Sequence, residues 1–82
     1  MNEYVKQYER IEKKIEVVEY AVKQENTPYN RSLIHGAYQS CVKLAKTFED
    51  PRLAKLAVDA SEVIVSITLR ANPNFKFRIK HK

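Results

Sequence analysis

The sequence predicts an all-α protein, an up-down-up three-helix bundle spanning about 2–25, 28–48 and 51–71, followed by a short extended basic tail. Three observations carry that reading. Apolar residues recur at helical spacing along three segments of similar length. Thr27-Pro28 and Asp50-Pro51 each set a capping residue before a proline, the pairing that opens a helix. The chain holds a single glycine, so little of it is built for turns.

In the first helix Tyr4, Tyr8, Ile11, Ile15, Val18 and Val22 alternate spacings of four and three, the seam of a coiled coil. Val5, Val17, Tyr20 and Ala21 widen that stripe, as packing among three or more helices requires. Glu9 with Lys13 and Glu19 with Lys23 stand at i, i+4 in the favourable order. Gln24 to Asn26 closes the helix.

The second helix is expected to bury Tyr29, Leu33, Ala37, Cys41, Leu44 and Phe48. Ile34, Tyr38, Val42 and Ala45 lie on one flank, with His35, Gln39, Lys43 and Lys46 opposite. Gly36 costs about 1 kcal/mol of helix propensity relative to alanine. The close approach of another backbone would account for it. The connections on either side of this helix are short, which implies antiparallel neighbours.

The third helix, LAKLAVDASEVIVSITLRA, has the widest apolar coverage. At about 100° per residue, Leu53, Leu56, Ala57, Ala60, Val63, Ile64 and Ile67 share one face. A second ridge of Val58, Val65 and Leu69 lies beyond a strip of small residues, Ala54, Ser61 and Thr68. Only Lys55, Asp59, Glu62, Ser66 and Arg70 are left for water. Burying a valine or leucine side chain is worth about 1.5–3 kcal/mol, so the surplus ridge favours association. The expectation is a homo-oligomer, a dimer first, with Val58, Val65, Leu69, Ala54 and Ser61 at its interface. The alternative is that the tail folds back and covers the ridge within one chain.

Asn72, Pro73 and Asn74 end the helix. Beyond them Phe75, Phe77 and Ile79 alternate with Lys76, Arg78 and Lys80, the period of a strand. Without a partner in its own chain, such a strand must pair with another molecule, lie on the bundle by its apolar side or stay disordered. The sequence thus divides into a helical domain, 1–71, and a basic aromatic tail, 72–82.

At 82 residues a compact chain buries only about 60% of its unfolded surface, so the core is thin. Apolar residues at 44% and charged residues at 30% describe a globular chain. One cysteine excludes an internal disulfide framework. The opening residues lack a leader pattern and no stretch reaches a membrane span, so the expected location is cytoplasmic. The net charge of +5 is uneven: residues 1–50 sum to zero, 51–71 add one, and 72–82 add four through Lys76, Arg78, Lys80 and Lys82.

No catalytic constellation is expected. Cys41 and His35 sit on one helix about 120° apart, too far round for a nucleophile and its base. Asp59 and Glu62 read as a solvated, salt-linked stripe with Lys55 and Arg70. The separation of Arg31 and His35 is shorter than that in the Arg and His pair of the helical HEPN ribonucleases, whose bundles are also longer. Neither a metal site nor a phosphate-binding glycine loop can be assembled, and no cofactor is expected. The tail alone suggests chemistry. Lys76, Arg78, Lys80 and Lys82 suit phosphates, and Phe75 and Phe77 suit stacking on bases. The expected function is a small non-enzymatic binding protein that self-associates through its third helix and contacts nucleic acid or a nucleoprotein through the tail. A protein-protein adaptor or inhibitor working without nucleic acid is the alternative.

Overall fold

The computed structural model describes residues 3–77, which form α1 (Glu3–Ala21), α2 (Pro28–Thr47) and α3 (Pro51–Ala71). Each helix packs on the other two, the expected three-helix bundle. The guanidinium of Arg52 lies 4.9 Å from the centre of the Tyr4 ring, tying the starts of α1 and α3 together at the same end.

Both proline-marked starts are capped as the sequence implies. The Asn30 N–H donates to Thr27 Oγ1 at 3.1 Å, and the Arg52 N–H donates to Asp50 Oδ1 at 2.9 Å. Each bond satisfies a donor that a helix start leaves open. The first helix, however, ends four residues short of expectation. After Ala21 the Lys23 and Gln24 N–H groups donate to the carbonyls of Tyr20 and Ala21, three residues back, which tightens the chain into a turn. The chain must reverse before Thr27, so Val22 to Asn26 is spent on the connection.

The core joins Ile11, Val18 and Ala21 of α1, Ile34, Ala37 and Cys41 of α2, and Ala57, Ala60 and Ile64 of α3. Alanine recurs at these contacts, which lets the helix axes approach closely but leaves little apolar volume. Several expected core positions lie elsewhere. Tyr29 is 71% exposed and Val63 42%, because each falls at the edge of its helix's inward arc. Tyr8 is also exposed, whereas Gln7 is buried beside it. Gln7 keeps its amide satisfied by donating to Glu3 at 2.6 Å and accepting from Arg10 at 3.2 Å. Gly36 has no close neighbour: a Cβ there meets nothing within 4 Å, so no backbone approach accounts for it.

Described residues of the tail form no strand. The Asn74 N–H donates to Asn72 Oδ1 at 3.3 Å and the Phe75 N–H to the Asn72 carbonyl at 3.0 Å, a local turn that swings the chain back. Phe75 then enters the core and Phe77 packs against it. Their rings stand 4.9 Å apart, with His35 5.0 Å from Phe75 and Tyr38 4.8 Å from Phe77. Fold-back therefore occurs, but these rings settle on α2. Val58 and Leu69 remain exposed, at 43% and 37%, and Val65 is half-buried.

Candidate anion-binding recess

The α1–α2 connection and the end of α3 meet at one end of the bundle, where they border two adjoining open cavities. The smaller, about 210 Å³, lies among Ala21, Val22, Asn30, Ile34, Thr68 and Ala71. The larger, about 600 Å³, is lined by Asn26, Arg31, His35, Asn72, Asn74, Phe75 and Lys76. Asn26, Arg31, Asn72 and Phe75 border both.

Arg31 is the best-held cation of this recess. Its Nη1 donates to the Asn26 carbonyl at 2.9 Å and to Asn26 Oδ1 at 3.3 Å. The connection that carries Asn26 is in turn held by Asn30, whose Nδ2 donates to the Glu25 carbonyl at 2.8 Å. Arg31 is half-buried, and among the described residues the ion pairs are Arg52–Asp50 and Lys55–Asp59, both elsewhere. Its Nη2 and Nε take no part in the bonds to Asn26. A half-buried arginine that forms no ion pair with a described carboxylate is suited to an anion. Among the described residues the larger cavity has no acid in its lining, and Lys76 is exposed at its rim. Glu25 borders only the smaller one.

The sequence-derived tail site is divided by the fold. Phe75 is buried and Phe77 half-buried, so these rings serve packing and do not offer open faces to bases. Lys76 is brought to Arg31 and His35 at the recess. Arg78, Lys80 and Lys82 lie outside the described residues. Sequence reasoning missed the carboxamides, although four of the five asparagines, Asn26, Asn30, Asn72 and Asn74, cluster in the two segments that meet here.

The expected interface residues do share one strip of α3. Val58 and Leu69 are exposed, and Ala54, Ser61 and Val65 are half-buried. Ser61 Oγ donates to the Val58 carbonyl at 2.7 Å, so its hydroxyl is satisfied within the helix. At the edge of the strip Lys55 and Asp59 pair at 2.9 Å, which raises the lysine pKa. The Glu9–Lys13 and Glu19–Lys23 pairs do not form among the described residues.

Cys41 is fully buried in the core, and burial raises its thiol pKa, with Lys14 acting weakly in the opposite direction. His35 instead packs on Phe75 and Phe77. No group of three His, Cys, Asp or Glu side chains among the described residues could hold a metal ion, and no described helix is long and apolar enough to cross a membrane. Compared with known proteins, the chain matches no family model, no curated protein sequence and no solved structure.

Proposed function

We propose that this chain is a non-enzymatic nucleic-acid-binding bundle that pairs with a second copy through α3. The observation that carries the reading is the recess, where a half-buried Arg31 with no carboxylate partner among the described residues lines one cavity with His35 and Lys76. In sequence, three further cations, Arg78, Lys80 and Lys82, follow Lys76. Cations held at one end of a molecule attract a polyphosphate backbone and make binding fall steeply with salt.

Removing the tail after Pro73 would also remove Phe75 from the core. The clean test replaces Lys76, Arg78, Lys80 and Lys82 with glutamine and leaves both phenylalanines in place. Binding to single- and double-stranded DNA and RNA is then measured at rising salt. Four phosphate contacts predict that the variant loses up to about four from the slope of log affinity against log salt. Equal, weak binding by both proteins sinks the reading.

Exposure of Val58 and Leu69 favours a second reading, an adaptor or inhibitor that acts through protein contact alone. It predicts one protein partner recovered after nuclease treatment and lost on Leu69→Glu.

A further inference from the structure

We infer that the recess is a phosphate subsite, with Arg31 as its principal ligand and a strand-terminal phosphate of nucleic acid as its occupant. The inference rests on the nucleic-acid reading and adds the group that this end of the bundle grips. A surface cation usually stays in water and swings freely. Arg31 is instead half-buried and held through Nη1 by two oxygens of Asn26. Its planar fork is thereby oriented before any ligand arrives, and the loss of side-chain freedom on binding is reduced.

Around that fork the larger cavity adds the Lys76 ammonium, the His35 ring and the carboxamides of Asn72 and Asn74, with no acid among the described residues of its lining. Of those groups the Lys76 ammonium and the carboxamides of Asn72 and Asn74 carry N–H donors suited to an oxyanion. The lining comes from separate elements: Asn26 from the α1–α2 connection, Arg31 and His35 from α2, and Asn72 to Lys76 from beyond α3. The recess has a buried floor as well. Thr68 lines the smaller cavity and is wholly buried, and its hydroxyl has no hydrogen-bond partner among the described residues. A recess with depth behind its mouth receives the end of a strand more readily than a strand running through.

The test uses the full chain and a twelve-nucleotide single strand bearing either a 5′-phosphate or a 5′-hydroxyl, with affinities read by fluorescence anisotropy. The expected result is about tenfold tighter binding of the phosphorylated strand, the scale of one charge-assisted contact. Arg31→Gln should erase that advantage, and Arg31→Lys should restore part of it. Lys46→Gln, an exposed cation near the opposite end of α2, should leave the advantage intact. If Arg31→Gln weakens both strands equally and Lys46→Gln does not, the subsite stands and its occupant is an internal phosphodiester. If Arg31→Gln behaves as Lys46→Gln does, the inference is overturned, and the nucleic-acid reading survives through the tail. Titration of wild-type protein with inorganic phosphate, followed by amide chemical shifts, separates the remaining cases without a variant. Shifts confined to Asn26, Arg31, Asn72, Asn74 and Lys76 in a protein that binds no strand keep the subsite and remove nucleic acid. Neither shifts nor strand binding would remove both.

Discussion

Gly36, Thr68 and Cys41 each occupy a position where one atom or group decides the outcome of a substitution. Gly36 lies on an exposed helical position with open space where a Cβ would stand. Gly36→Ala should therefore stabilise the fold by about 1 kcal/mol and raise the midpoint of thermal unfolding by about 4–8 °C. A lowered midpoint would mean that the glycine serves a contact this structure lacks. Thr68 buries a hydroxyl without a partner among the described residues, so Thr68→Val, close in shape, should add about 1 kcal/mol in a urea titration. Cys41 bears on alkaline stability. Its folded pKa lies above the ordinary 9.0, so folding holds the proton more tightly than the unfolded chain does. That contribution is whole below about pH 9 and is lost as pH rises through the folded value. Between pH 8 and 10.5, wild type should lose stability more steeply than Cys41→Ala, and parallel curves would rule out the thiol as the cause. None of the three outcomes follows from residue type alone, because each depends on what stands beside the side chain.

At the scale of elements, the two capped starts and the anchored tail make separable contributions. Thr27→Ala removes the acceptor for the Asn30 N–H and should cost about 1 kcal/mol, centred on the start of α2. Phe75→Ala should cost about 3 kcal/mol, because it empties a core position shared with His35 and Phe77. Chemical denaturation of both variants checks the order, and a neutral Phe75→Ala would mean that the tail does not anchor. Helix starts were readable from the sequence because Thr-Pro and Asp-Pro act through their immediate neighbours. The end of α1 was not, since Val22 continues the apolar spacing while the chain is already turning. The tail's partner was left open for a related reason: alternation of apolar and charged residues fits a strand, but it also fits a turn that presses Phe75 and Phe77 onto one helix. Local pattern gives the period and leaves the partner open.

For the whole molecule, the decisive quantity is the apolar strip of α3 that holds the exposed Val58 and Leu69. If it pairs copies of the chain, light scattering at tens of micromolar should give the mass of two chains. Leu69→Glu should return one chain with its helicity intact, and a wild-type particle of single-chain mass would end the proposal of pairing. Such a strip was foreseeable because α3 has apolar residues round most of its circumference. The recess was not, because its groups come from segments some forty residues apart in sequence, joined only when α1 turns early and α3 stops.

By itself the sequence determined the number of helices, their capped starts, the greasiest helix and the concentration of charge after Asn72. Those properties arise from spacing and from neighbours within a few residues. Tertiary structure decided that Phe75 belongs to the core, that Tyr29 and Val63 do not, and that Arg31 and Lys76 line one cavity with no acid among its described lining. Those outcomes depend on which faces the bundle turns inward and on where two distant connections come together. No periodicity along a single helix encodes either one.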